Sequence, residues 1–187
     1  MPCLSESERK AILELAHQAV EEAVCHNRRL QTIPVLGVFE RRSGVFVTLH
    51  VNKKLRGCIG VIQGREPLGE SIVQCAGSAA LEDPRFTRMR PEELKYLDVE
   101  VSLLSELELM RPDGIEIGKH GLLVEQGVYR GLLLPQVATE HHLDKEQFLA
   151  ETCHKAGLRG DAWKNAGTRI YGFTCEIVAE TASHAEK

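Results

Sequence analysis

Long apolar runs are missing from this 187-residue chain. No stretch approaches the roughly 18 consecutive apolar residues that a membrane-spanning helix needs. The opening residues, Met1-Pro2-Cys3-Leu4-Ser5-Glu6, lack the basic segment and apolar core of a secretion signal, so the expected location is cytoplasmic. Strong charge of one sign is missing too. Lysine and arginine number 23 against 27 aspartates and glutamates, and the formal net charge of −4 gives no global field to recruit nucleic acid or an anionic membrane. Aromatic residues make up 5% of the chain and do not interleave with basic ones, which argues against a stacking surface for single-stranded nucleic acid. Walker A, Gly-x-Gly-x-x-Gly and Gly-x-Ser-x-Gly patterns are all absent. So is any Cys-x-x-Cys or His-x-x-x-His spacing, and no metal site is expected even though Cys58, His120, His141, His142 and Cys153 are residues of ligand type. No motif names a cofactor.

What is present is a composition that folds. With 43% hydrophobic residues, the chain can bury the core of one large domain or of two small lobes. The six cysteines (Cys3, Cys25, Cys58, Cys75, Cys153, Cys175) pair in number, yet a chain of this length without a secretion signal lies outside the small disulfide-framework class. Reduced thiols are expected.

Ser5 followed by Glu8 has capping-box spacing, and Ile12, Leu15, Ala16, Ala19 and Ala23 then recur at helical intervals to about Cys25. Residues 45–49 and 55–62 read as strands, and the polar Asn52-Lys53-Lys54 between them as a hairpin turn. Pro67 fits the first turn of a second helix with an inward stripe of Leu68, Ile72, Cys75, Ala76, Ala79 and Ala80. Asp83-Pro84 ends it, because the residue before proline is pushed out of the α region. Pro91 to Leu94 reads as a short helical turn and residues 98–105 as a strand. Residues 115–117, 121–125 and 128–134 follow as short strands, the last two joined tightly at Gln126-Gly127. Asp144 and Gln147 cap a last helix that stops at Gly157, and residues 171–178 form a closing strand. Connections this short exclude parallel crossovers, so the fold class is α+β with largely antiparallel sheets and flanking helices.

The most informative segment is Leu55-Arg56-Gly57-Cys58-Ile59-Gly60. In a regular strand Arg56 and Cys58 share a face, with Cα atoms about 7 Å apart. A guanidinium that near favours the thiolate, the form that attacks electrophiles. Glycine inside a strand often marks close approach by a ligand or by another backbone. Against this stands packing: unpaired cysteines are commonly small buried hydrophobes, and Cys75, Cys153 and Cys175 each fall on an apolar face where packing explains them. Of the two basic runs, Lys53-Lys54-Leu55-Arg56 adjoins the cysteine segment, and Arg85, Arg88 and Arg90 read as a solvated face. Eight histidines offer bases for a thiolate, among them His120, where the chain turns into a strand, and His184 near the end.

The order of these segments resembles the AMMECR-type domain family, whose bacterial members are called AmmeMemoRadiSam system protein A. The likeness runs through Val45 to Leu49, Leu55 to Gly60, Pro67-Leu68, Asp83-Pro84-Arg85-Phe86, Glu93-Leu94 and Glu100-Val101-Ser102. It continues through His120-Gly121-Leu122, Leu132 to Val137, Phe148-Leu149, Lys155 to Leu158 and Trp163, and so covers residues 12 to 178. Leu143 departs from it, since relatives often carry tryptophan there. The resemblance implies one α+β domain spanning residues 1–187, with two lobes and the cysteine segment at a cleft between them. It also implies partnership with a Memo-like protein and a radical SAM enzyme. Carried onto this chain, it points to Cys58 as nucleophile or redox thiol, Arg56 as thiolate stabiliser or anion clamp, and His120 as acid–base partner. Gly57, Gly60, Gln136 and Glu140 are then binding groups. Two readings follow: a small cysteine-dependent catalytic subunit, or a non-catalytic module that binds a ligand or protein through the Leu55 to Gly60 segment.

Overall fold

The computed structural model describes residues 4–180. Its helices are α1 (Glu6–His26), α2 (Gly37–Glu40), α3 (Leu68–Leu81), α4 (Pro135–Glu140) and α5 (Lys145–Lys155). The strands are β1 (Val45–Val51), β2 (Lys54–Val61), β3 (Leu97–Leu104), β4 (Glu108–Leu109), β5 (Gly121–Gln126), β6 (Tyr129–Leu133), β7 (Arg169–Phe173) and β8 (Cys175–Ala179). They form two four-stranded sheets, β2-β1-β3-β8 and β4-β7-β5-β6, and the fold is α+β with antiparallel sheets. The chain divides into two compact units, Met1–Leu104 with Glu176–Lys187, and Ser105–Cys175. Among the described residues, no helix is long and apolar enough to cross a membrane.

In the first unit the capping box forms as its spacing predicts. The Ser5 hydroxyl accepts from the Glu8 N–H at 3.3 Å and the Glu8 carboxylate accepts from the Ser5 N–H at 2.8 Å, satisfying donors that a helix start leaves orphaned. The predicted stripe of α1 is buried from Ile12 to Ala23. The β1–β2 hairpin turns at Asn52 and Lys53, whose φ angles of 52° and 63° match the mirror-image turn that the twist of a hairpin favours. Pro67 sits at the N-cap of α3, one position earlier than expected. One face of the sheet, Val45, Val47 and Leu49 with Val99, Val101 and Leu103, packs with α1 and α3 into the core. Strand alternation turns Phe46, Thr48, Glu100 and Ser102 to the other face.

In the second unit β5 lies between β6 and β7, and α5 buries Phe148, Leu149 and Cys153 with Ile115, Leu122, Val124 and Ile170. The Asp144–Gln147 capping box opens α5 as predicted.

Three expectations are corrected. Residues 115–117 are not a strand: the chain makes a 3₁₀ turn over Pro112–Gly114 and a second turn in which the Glu116 carbonyl accepts from the Lys119 and His120 N–H groups. Ile115 anchors that turn by burial, which imitates the pattern of a short strand. The closing strand is two strands, parted at Thr174, whose carbonyl accepts from the Ser105 N–H and whose N–H donates to the Ser105 hydroxyl. The pieces join different sheets, so the expected parity breaks and Val178 is buried while Ile177 is 37% exposed. Cys175 is half-buried rather than fully packed, unlike Cys75 and Cys153. Cys25 is exposed, and Cys25, Cys58, Cys75 and Cys153 are free thiols. Cys3 and His184 lie outside the described residues.

Candidate functional site

β2 is the edge strand of its sheet, so every second backbone N–H and C=O along it points away from β1. Cys58, opposite Thr48, is one of the residues whose backbone faces outward. Its side chain meets its cross-strand neighbour directly: the Thr48 hydroxyl donates to Cys58 Sγ at 3.3 Å. Cys58 as a residue is half-buried. Glu100 lies on the far side of Thr48, so Cys58, Thr48 and Glu100 form one row across three strands.

The outward backbone of Cys58 is met by the segment that follows α3. Asp83 Oδ2 accepts from the Cys58 N–H at 2.8 Å, and Arg85 Nη2 donates to the Cys58 carbonyl at 3.3 Å. The two side chains thus take the places that a neighbouring strand would fill. They are bound to each other as a fork, with Arg85 Nε on Asp83 Oδ1 at 3.0 Å and Nη2 on Oδ2 at 2.7 Å. The Asp83 side chain is only 2% exposed while that of Arg85 is 53% exposed. Hydrogen bonds from Arg85 hold the Asp83 carboxyl well below the usual range against the opposing effect of burial, and the Cys58 and Arg85 backbone N–H groups add to this. The Asp83 carboxylate in turn raises the Arg85 guanidinium, and Cys58 contributes both as a charge and as a hydrogen-bond partner. Arg85 therefore belongs to the cysteine's surroundings while remaining exposed, as its reading within a solvated face expects.

Arg56 does not follow the regular alternation assumed from the sequence. The β1–β2 register passes from Leu49–Gly57 to His50–Leu55, so Arg56 is the extra residue of a bulge, and bulges re-aim the side chains they carry. Its guanidinium is spent on Glu93, at 2.7 and 3.2 Å, and on the Thr87 carbonyl at 2.8 Å. Those bonds from Arg56 lower the Glu93 carboxyl despite partial burial. Arg56 thus ties the segment after α3 to β2, and the guanidinium that touches Cys58 is that of Arg85.

The two glycines have neighbours in their own chain. A Cβ on Gly57 would lie 2.9 Å from the carbonyl carbon of Ala79 in α3 and closer still to its oxygen, and one on Gly60 would strike the Phe46 ring. At Gly57 the close approach read from the sequence is that of the chain's own helix backbone. Beneath β2, Cys75 of α3 has its thiol pushed up to about 11 by burial, with Cys58 adding to the effect.

His120, Gln136 and Glu140 belong to the other unit. His120 is 9% exposed, and its Nδ1 accepts from the Glu116 N–H at 3.1 Å, which leaves Nε2 to carry the proton of the neutral ring. Gln136 and Glu140 lie on α4, a helix the sequence reading missed because six residues opening on Pro135 give no stripe to detect. Gln136 Oε1 is buried without a hydrogen-bond partner among the described residues, and Glu140 is exposed. In the first unit Ser102 Oγ is likewise buried and unpartnered. Among the described residues, no three His, Cys, Asp or Glu side chains are grouped to hold a metal ion.

The AMMECR1 family model matches residues 13–178. The chain belongs to the AMMECR1 family. A Methanothermobacter thermautotrophicus protein is 44% identical over 185 residues, covering 95% of this chain and 96% of that protein. One from Thermococcus kodakarensis is 46% identical, covering 90% and 88%. The crystal structure of an uncharacterised protein from Pyrococcus horikoshii is similar at 41% identity and a TM-score of 0.84, covering 89% of this chain and 88% of that one. The Thr48, Cys58, Asp83 and Arg85 cluster thus lies within the AMMECR1 region of the chain.

Proposed function

We propose that Cys58 is the nucleophile of a small cytoplasmic catalytic subunit that works with a Memo-like protein and a radical SAM enzyme. The observation that carries this reading is the Thr48 hydroxyl aimed at Cys58 Sγ at 3.3 Å. A hydroxyl that donates to sulfur stabilises the negative charge that a nucleophilic thiol must carry. Cys58 is half-buried rather than sealed in the core as Cys75 and Cys153 are. In the proposed step the thiol gives its proton to water, the sulfur lone pair bonds to an electrophilic carbonyl carbon, and the carbonyl electron pair moves onto oxygen. The two partners rest on the family resemblance alone.

Iodoacetamide mapping of the folded protein tests the nucleophile. Cys58 is expected to alkylate faster than the exposed Cys25, and T48V is expected to slow Cys58 about threefold, the worth of a weak hydrogen bond, while leaving Cys25 unchanged. Equal rates at the two sites, unaltered by T48V, return the chain to the binding-module reading. Co-expression with the two partners followed by size-exclusion chromatography tests the assembly, and three separate peaks exclude a stable complex.

A further inference from the structure

Arg85 holds more than its internal partners use. Its Nε and Nη2 are taken by Asp83, and Nη2 also reaches the Cys58 carbonyl, but Nη1 has no partner among the described residues. The side chain is 53% exposed although the carboxylate beneath it is 2% exposed, so the fork is anchored from inside and open to solvent outside. The Phe86 ring lies 5.5 Å from the guanidinium carbon and further limits its motion. With both Nη2 hydrogens and Nε–H taken, the Nη1 N–H groups are the ones left to donate, and a charge-assisted bond from that one nitrogen can hold an oxygen of a carboxylate or phosphate. This guanidinium is fixed to the backbone of the residue that carries the thiol.

We propose that Arg85 is an oxyanion-binding residue beside Cys58, and that the molecule presented to this sulfur is a small one bearing a carboxylate or phosphate group. The proposal builds on the nucleophile reading and narrows it to a substrate class. Asp83 is its positioning residue: a buried carboxylate that orients the guanidinium and pins the Cys58 N–H at 2.8 Å. Arg56, which the sequence marks first as the anion clamp, is excluded from the role because Glu93 and the Thr87 carbonyl occupy its guanidinium.

Two alkylating probes of the same reactivity class separate anion binding from thiol activation. Iodoacetate carries a carboxylate and iodoacetamide does not, and both need the same thiolate. Their rate ratio at fixed pH therefore cancels any effect on the sulfur itself. Relative to the ratio at Cys25 in the same sample, the iodoacetate-to-iodoacetamide ratio at Cys58 is expected to be about twofold higher, because the paired Asp83 carboxylate offsets much of the guanidinium's charge near a wet surface. R85K is expected to keep most of that preference. R85Q leaves a buried carboxylate unpaired and threatens local folding, so the paired variant D83N/R85Q, which removes both charges and keeps amide hydrogen bonding, is the decisive one: its ratio is expected to fall to that of Cys25. An unchanged ratio in D83N/R85Q overturns the clamp and leaves the nucleophile standing.

A second arm does not depend on sulfur chemistry. In C58S, titration with inorganic phosphate or with acetate is expected to shift the Arg85 Nε–H and residue 58 amide NMR signals saturably in the millimolar range. No saturable shift with either anion overturns the proposal, whereas a saturable shift in a protein whose Cys58 resists both alkylating agents upholds the oxyanion site and removes the nucleophile. Comparison of the two titrations tells a phosphate-bearing from a carboxylate-bearing ligand.

Discussion

Replacing Gly57 by alanine separates the two reasons a strand keeps a glycine. The new Cβ would lie 2.9 Å from the Ala79 carbonyl carbon and nearer its oxygen, and the obstacle is the backbone of a buried helix rather than the end of a movable side chain. Restoring a normal contact of about 3.5 Å to the oxygen, the nearer of the two atoms, requires α3 to retreat from β2 by more than about 1 Å. That movement disturbs Ile72, Cys75, Ala76 and Ala79, all fully packed. Overpacking of this kind costs about 1–3 kcal/mol, and the upper end applies because α3 shares one packed core with α1 and cannot move alone. Alanine regains about 0.5–1 kcal/mol by restricting the unfolded chain, so G57A is expected to lose about 2 kcal/mol net. For a protein of this size that lowers Tm by about 4–8 °C. Thermal unfolding by circular dichroism, checked by urea titration, reads it directly. G37A is the control, since nothing lies within 4 Å of a Cβ there and the backbone is not left-handed; its Tm is expected to stay within about 1 °C of the parent. A G57A protein as stable as the parent, but impaired in reactivity at Cys58, would refute the packing account and restore the glycine as an opening for a ligand.

Three further outcomes follow from the same geometry. The Asp83 and Glu93 carboxyls titrate below their ordinary values in the folded protein, so the stability they add is fully present above the unfolded values of 3.8 and 4.5 and is lost as pH falls through the folded ones. Urea titrations below pH 4 are expected to show a shallower loss of stability in D83N than in the parent, and identical acid slopes would contradict the structure. Cys75, pushed up to about 11 and 1% exposed, is expected to resist iodoacetamide at pH 8 until the protein unfolds, which mass spectrometry with and without urea checks; labelling of native Cys75 at the rate of Cys25 would show that α3 opens. Ser102 Oγ is buried and unpartnered, so S102A is expected to be neutral or to gain up to about 1 kcal/mol, and a loss above about 1 kcal/mol would reveal a partner for that hydroxyl.

Local signals were the legible part of the fold. Both side-chain capping boxes, at Ser5–Glu8 and Asp144–Gln147, and the β1–β2 hairpin sit where spacing and turn chemistry put them, because each is decided within about four residues. What escaped were elements whose existence depends on distant partners. β4 is two residues long and exists through pairing with β7, and the break at Thr174 exists because Ser105 claims its backbone. Neither leaves a periodicity to find.

The candidate site shows the same division more sharply. That Cys58 lies in a strand beside glycine was legible; that its charged companion is Arg85 was not, although Arg56 is two residues away and Arg85 is twenty-seven. Strand alternation argued for Arg56, and a single bulged residue cancelled the argument by turning its guanidinium to Glu93. The need for Arg85 becomes visible once the burial of Asp83 is known. Asp83-Pro84-Arg85 ends a helix with a carboxylate whose side chain is 2% exposed, and a buried carboxylate demands a cation and donors close by. Arg85 supplies the cation from two residues on, and the outward N–H of an edge strand supplies the remaining donor. Once β2 is known to be an edge and α3 to pack against Gly57, the segment leaving α3 must pass that edge at the level of Cys58. The pairing of Asp83 and Arg85 with the cysteine backbone is then a consequence of where the helix ends.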